Sequence, residues 1–365
     1  MRTSRLLSPL TMRDLTARNR LWLPPMCMYC VPGDDGAVTD WHVVHYASRA
    51  VGGFGTLIVE ATAVAPEGRL SPNDLGLWEE SQVEGHHRIV EAVHAAGALV
   101  GVQLGHGGRK AGTPPMRPRE EGARTSTIEG WDLLAPSAVA YPEHAVPAEL
   151  DEAGIDRLVE AFAAAARRAV EAGYDIVELH GAHGYLIHEF LSPLSNLRTD
   201  SYGGSPQARR RFLLRVVEAV RQAIGEEKVL DVRLSATDWA DGGLTAQDTV
   251  ELACQLAQAG VDVLHVSTGG NVPAQVPAGP GFQLPFAAQV REAVVGTRTQ
   301  VVGVGLVETA TQAEQALVTG QADAVAVGRA ALRDPYLPLR WAADLGVKGW
   351  EEAPWPIQYW RGTWH

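Results

Sequence analysis

Asp175–Ser205, DIVELHGAHGYLIHEFLSPLSNLRTDSYGGS, is the stretch on which the reading of the whole chain turns. Asp175–Leu179 has the short apolar pattern of a buried strand, and at its carboxyl end His180, His183 and Tyr185 follow in H-x-x-H-x-Y spacing. Three groups able to hydrogen-bond or move protons therefore sit within six residues of one strand end. A metal site would use this spacing differently. There is no Glu between the histidines and no neighbouring Cys, so no metal is expected. The reading adopted is two donors to a substrate oxygen, His180 and His183, with Tyr185 as an acid. Polar groups gathered at a strand-end loop are where site chemistry concentrates.

Outward from this segment, short apolar strands alternate with longer helical patterns, the sign of a parallel sheet covered by helices. Strands are expected at Leu21–Pro25, Thr56–Val64, Leu99–Leu104, Asp175–Leu179, Val229–Leu234, Val261–Ser267, Gln300–Val304 and Asp323–Val327. Helices are expected between them, and a last one at Ala331–Leu345. Eight strand–helix units fit an α/β fold of the (β/α)8 TIM-barrel type, a single domain over residues 1–365, with an open doubly wound sheet as the alternative. Residues 109–149 are polar, proline-rich and long for a connection, so a lid insertion after strand 3 is expected there.

The formal charge of -12, from 43 acidic and 31 basic residues, argues against a nucleic-acid or anionic-membrane surface. No apolar run reaches the roughly 18 residues of a spanning helix, and the first residues lack a signal core, so a cytoplasmic protein is expected. Three cysteines are too few for a disulfide framework. Cys27 and Cys30 form a C-x-x-C, but neither a second ligand pair nor a strand-to-helix context accompanies it.

The other strand ends carry groups suited to a flavin. The first offers Pro25, Met26, Cys27 and Tyr29; the second Ala61, which leaves space; the third Gln103 and Lys110, the lysine expected to touch substrate; the fifth Arg233, inward if alternation holds. A flavin pyrimidine edge needs hydrogen-bond partners, which Gln103 can supply, and its reduced form carries charge that Arg233 can stabilise. Gly303 and Gly305 after strand seven, and Gly328 with Arg329 after strand eight, stand where barrels commonly hold phosphate, and Ser267 can add a hydroxyl.

HGAHGYLIHEFLSPLSNLRTDSYGGS closely resembles the signature segment of the old yellow enzyme family of FMN-dependent ene-reductases, in the bacterial branch with thermophilic-like and xenobiotic-reductase-like members. The resemblance runs from Asn19–Arg20 to the C-terminal tail. It implies that Pro25, Met26, Cys27, Ala61, Gln103, Arg233, Ser267, Gly303, Gly328 and Arg329 surround FMN. It also implies that His180 and His183 bind the oxygen of an activated alkene, that Tyr185 protonates it, that Cys27 tunes the flavin potential and that Tyr29 contacts substrate. NADPH is the implied hydride donor, in a ping-pong reaction on unsaturated carbonyl or nitro compounds. The pattern differs at Cys30, commonly a polar residue, which leaves a thiol pair with Cys27 open. Residues 348–365 contain Gln358, Tyr359, Trp360, Arg361 and Gly362, similar to a family tail that crosses a dimer interface; a homodimer or dimer of dimers is implied, with Trp360 or Arg361 completing the partner's pocket. Two rival readings remain open: a flavin-free barrel hydrolase or aldolase acting on a phosphorylated substrate, and a non-catalytic flavin-binding sensor.

Overall fold

The computed structural model describes residues 4–116 and 126–364. All eight expected strands form: β1 Leu21–Leu23, β2 Thr56–Ala63, β3 Leu99–Gly105, β4 Ile176–Gly181, β5 Val229–Ser235, β6 Val263–Ser267, β7 Gln300–Val304 and β8 Ala324–Ala326. Each pairs in parallel with the next, and β8 pairs with β1, so the sheet closes on itself. Closure removes the exposed edges of an open sheet. The covering helices are α1 Asp40–Val51, α2 Val83–Ala95, α3 Glu152–Glu171, α4 Pro206–Ile224, α5 Ala246–Gln258, α6 Leu284–Ala293, α7 Ala310–Val318 and α8 Leu337–Asp344.

Local chemistry starts these helices. The Asp151 side chain accepts from Gly154 N–H at 2.7 Å to cap α3, whose Ile155, Leu158, Val159 and Phe162 are buried. Ser205 caps α4, with Pro206 in its first turn, where the missing N–H does no harm. The expected helix Ala331–Leu345 is instead two, Arg329–Arg333 and α8. Pro335 explains the break: it lacks an N–H, and it forces Asp334 out of helical conformation to φ -138°, ψ 100°.

Strand alternation sorts the side chains into an outer core and stacked inner layers. Val177, Leu179, Leu230, Val232, Leu264 and Val266 face the helices. Inward, Ile176, Val229, Val263 and Val302 pack with Trp22 in an apolar layer at the amino ends of the strands. A hairpin of Leu10–Met12 with Leu15–Ala17 plugs that end, contributing Leu10, Met12 and Ala17 to the same layer. Period-two patterning does not anticipate it, because three-residue strands carry too little pattern. Two residues further along β4, β5 and β6, the inward positions turn ionisable.

The long segment after β3 opens with a short turn at Gly108–Lys110 and closes with Leu134–Ala135 paired to Ala148–Glu149. Thr113 N–H donates to Leu70 O at 2.7 Å and the Trp131 indole to Glu67 O at 2.9 Å, which ties it to the loop after β2. Residues 117–125 of the expected lid lie outside the described residues.

Candidate active site

At the carboxyl end of β4, the rings of His180, His183 and Tyr185 meet edge to face. Their centroids are 5.1 Å apart for the histidine pair, 4.8 Å for His180 and Tyr185, and 6.5 Å for His183 and Tyr185. Burial, followed by the charge of Arg233, pulls the His180 pKa down to about 3 and His183 well below its ordinary value. Both imidazoles are therefore neutral, and each offers one donor. His180 Nδ1 accepts from Ala182 N–H at 3.4 Å, which puts its proton on Nε2. His183 Nε2 lies 2.8 Å from Ser267 Oγ. Ser267 also reaches Gln283 Oε1 at 3.2 Å, but that oxygen already accepts from Thr268 Oγ1 at 2.8 Å. With its single proton turned to the shorter of the two contacts, Ser267 donates to His183 Nε2, and His183 Nδ1–H is then the second donor.

The loop that aims these groups is held by contacts the sequence does not display. His183 has φ 61°, a left-handed conformation that costs a non-glycine residue and recurs at functional sites. Its N–H donates to Ser235 Oγ at 2.9 Å. A Cβ on Gly184 would stand 2.2 Å from Gly270 O, and one on Gly270 would stand 2.6 Å from the His183 Cα. Two glycines thus let the loops after β4 and β6 touch. Gly184 N–H donates to His188 Nδ1 at 2.9 Å, and His188 Nε2 sits 3.0 Å from Asp238 Oδ1, with both the ring and the carboxylate buried. Lys110, expected to touch substrate, directs its ammonium to the carbonyls of His183 (2.8 Å) and Gly270 (2.9 Å). It also lies 4.9 Å from the Tyr185 ring centre and 4.8 Å from that of Tyr141, so it braces both rings.

Beside this trio runs a cavity of about 350 Å³, walled by Pro25, Met26, His183, Arg233, Ser267 and, at its far end, Gly305, Gly328 and Arg329. Gly305 has φ 131°, reachable only by glycine. Gly303 is turned elsewhere: its missing side chain makes room for Leu284 and Ala287 of α6. Arg233 projects inward as its parity requires, and its Nε has no protein partner although fully shielded. Such a donor fits the charge of a flavin, and the glycine–arginine end fits a phosphate, so the residues present suit FMN. Gln103 does not line this cavity; its Nε2 donates to buried Glu178 Oε1 at 2.6 Å. Glu178 Oε2 lies 2.8 Å from His265 Nδ1, and Asp231 completes a buried cluster whose ligating atoms fall within 4.8 Å. Burial works against ionising Glu178, but His265 and Arg233 outweigh it and keep it charged; burial and that charge keep Asp231 protonated. One negative charge therefore stands beneath Arg233.

Cys27 and Tyr29 stand close enough to Tyr185 to act on its hydroxyl, and Tyr29 has φ 53°. Burial, then Asp74 and Glu60, raise the Cys27 thiol well above its ordinary pKa, so it is neutral. All three cysteines are free thiols, and Cys30 Sγ donates to Met28 O at 3.1 Å. Ala61 lies behind Tyr185 on the wall of a second, small cavity. Trp360 and Arg361 are not among the residues that line the cavity of about 350 Å³. Pro354–Pro356 and Gln358 of the tail instead wall a separate cavity of about 420 Å³ together with Val51, Ala92, Ala95 and Ala96, at the carboxyl ends of α1 and α2. The Arg361 guanidinium lies over the Trp360 ring, 5.2 Å from its centre. No helix among the described residues is long and apolar enough to cross a membrane.

Donors grouped over one face of a long cleft, with a phosphate cradle at its far end, are what a mononucleotide flavin requires, and a flavin-dependent oxidoreductase of barrel fold is the class so defined. The NADH:flavin oxidoreductase / NADH oxidase family matches residues 5–347, and the chain belongs to it. It is 45% identical over 359 residues to an NADPH dehydrogenase of Geobacillus thermodenitrificans (strain NG80-2), covering 98% of each chain. The old yellow enzyme homologue of Zymomonas mobilis superposes with a TM-score of 0.78 at 31% identity, over 93% of this chain and 92% of that one. A 2-naphthoyl-CoA reductase gives 0.83 at 27% identity over 94% of this chain, which spans about half (52%) of that longer protein.

Proposed function

We propose that the protein is an NADPH dehydrogenase and ene-reductase of the old yellow enzyme kind, acting on unsaturated carbonyl or nitro compounds. The observation that carries this reading is the meeting of His180, His183 and Tyr185 at one end of the cavity that Arg233, Gly305 and Arg329 suit to FMN. Bound FMN supplies hydride transfer, from NADPH to the β-carbon of the alkene. Arg233, with Gln103 beside it, binds the pyrimidine edge, and Arg329 with the Gly305 and Gly328 loops binds the phosphate. His180 Nε2–H and His183 Nδ1–H donate to the substrate oxygen, where negative charge builds. Preorganised donors of this kind are each worth on the order of 10²–10³ in rate. Tyr185 delivers a proton to the α-carbon. Its hydroxyl is held protonated, because burial and then the Cys27 and Tyr29 sites raise it well above its ordinary pKa. The described residues of the 109–149 segment act as a lid over the site, with the Lys110 ammonium over the Tyr141 ring. Residues 348–365 reach a second copy, in a homodimer or dimer of dimers.

The test is an anaerobic titration of the yellow protein. NADPH should bleach it and cyclohexenone should restore the colour; a colourless protein favours the hydrolase reading, and bleaching without reoxidation favours a sensor. In stopped flow, Tyr185→Phe should slow reoxidation by the alkene roughly 10²–10⁴-fold while leaving bleaching by NADPH unchanged. Equal slowing of both halves makes Tyr185 structural.

A further inference from the structure

Each turnover of the proposed reaction takes one proton from Tyr185, and the tyrosinate left behind must be reprotonated from inside a buried site. Behind Tyr185, on the side of β2 and β3, lies a separate cavity of about 10 Å³, walled by Tyr185, His180, Asp74, His106 and Arg69. That volume is about one water, and a buried water needs two or more polar partners. Two are waiting. Asp74 Oδ1 and His106 Nε2 are both fully shielded and have no protein partner, although each residue is more than nine-tenths buried. Buried polar atoms left in this way are normally satisfied by ordered water.

The rest of each side chain fixes what those atoms offer. His106 Nδ1 accepts from Gly108 N–H at 3.1 Å, so its proton is on Nε2 and points to the cavity as a donor. Burial lowers its pKa to about 4, which keeps it neutral. Gly68 is required at its side: a Cβ there would stand 2.6 Å from the His106 ring. Asp74 Oδ2 accepts from Ser71 N–H at 2.9 Å, leaving Oδ1 for the water. Burial raises its pKa to about 7, opposed by backbone N–H groups and by Arg69; Glu60, Cys27, Tyr29 and Tyr185 are the other titratable groups that interact with it. Asp74 can therefore hold and lose a proton near neutrality. Arg69 leads outward from this cavity to the exposed carboxylate of Asp34, with which it is paired.

We infer that Asp74, through a water held by His106 in this cavity, returns the proton to Tyr185 after each turnover. The inference rests on the reading of Tyr185 as the acid. Tyr185 gives its proton to the substrate carbon, the water passes one to the phenolate, Asp74 replaces the proton of the water, and solvent restores Asp74. The net uptake is one proton from solvent, which balances the hydride supplied by NADPH. Asp74 and His106 touch neither substrate nor cofactor and act through Tyr185.

A return route has a signature that a packing role lacks: the first turnover is normal and later ones are slow. For the FMN-loaded Asp74→Asn protein, a single reoxidation by cyclohexenone should run within about two-fold of wild type, whereas steady-state alkene reduction should fall about ten-fold or more and lose its dependence on pH near 7. Turnover with a quinone, which needs no proton at carbon, should be unchanged. His106→Leu should behave likewise, and His106→Gln, which keeps an N–H donor, should recover most of the rate. Should Asp74→Asn fail to bind FMN, the His106 pair decides alone. Equal loss in the first and later turnovers, or none in either, overturns the route. If Tyr185→Phe itself reduces alkenes at the wild-type rate, the assignment of the acid has failed; if Tyr185→Phe is slow while the Asp74 and His106 variants turn over normally, only the return route has.

Discussion

Ser267 changes partner between the sequence and the structure. Read along the chain it is a hydroxyl at a strand end near the phosphate loops; in the barrel it lies 2.8 Å from His183 Nε2 and governs which nitrogen of that ring is free to donate. Ser267→Ala should therefore slow reoxidation by alkene about ten-fold, less than loss of a whole donor, and leave reduction by NADPH unchanged. Stopped-flow traces identical to wild type would remove Ser267 from this role. Glu189 offers a test by pH. Burial raises its carboxyl from 4.5 to about 8, against the pull of Arg109. A raised folded pKa means stability present below the unfolded value and lost as pH climbs through the folded one. Wild-type urea midpoints should fall between pH 5 and 9, with up to ~1.4 kcal/mol per pH unit from this group. Glu189→Gln should flatten part of that slope, since Glu60 and Asp74 are raised in the same direction. An unaltered slope would show that Glu189 is ionised in the folded protein.

Among the elements, the loops after β4 and β6 depend on one glycine pair. Gly184→Ala places a methyl 2.2 Å from Gly270 O, at φ 72°, and backbone cannot step aside as a flexible side chain does. A loss of roughly 2 kcal/mol is expected, with a larger proportional loss of alkene reduction because His183 and Tyr185 flank the site. Gly260→Ala, at φ 85° between α5 and β6 with nothing within 4 Å, should cost about 1 kcal/mol and leave kcat unchanged. Thermal melts and turnover of the two variants side by side check this; equal effects on activity would mean that the loop contact does not aim the trio.

At the scale of the molecule, the tail is the part a single chain does not explain. Ile357, Tyr359 and Trp360 are exposed, Trp360 by 49%, and are not among the residues that line the chain's own site. These aromatics are what the proposed contact with a second copy would cover. Protein lacking residues 348–365, mixed with a His180→Ala/His183→Ala double variant, should regain activity in hybrid dimers, where one pocket has both histidines and a tail from its partner. Hybrids that form yet stay inactive, beside a fully active tail-deleted protein, would reduce the tail to packing.

The sequence by itself determined what is local or periodic. Alternation of period two placed Arg233 inside, and the H-x-x-H-x-Y spacing placed His180, His183 and Tyr185 on one loop, because neighbours six residues apart cannot be separated by any folding of the rest. Strand and helix order likewise announced a barrel, but the last helix reads as unbroken over Ala331–Leu345, and the structure divides it at Pro335. Only the tertiary structure decided what meets across strands. Glu178, Asp231 and His265 come from β4, β5 and β6 and become one buried cluster through the register of a closed sheet. Gly184 and Gly270, Ser267 and His183, and Asp74 and His106 are pairs of the same kind, tens of residues apart in the chain. Their distances are set by barrel closure and loop packing, which no short stretch of sequence encodes.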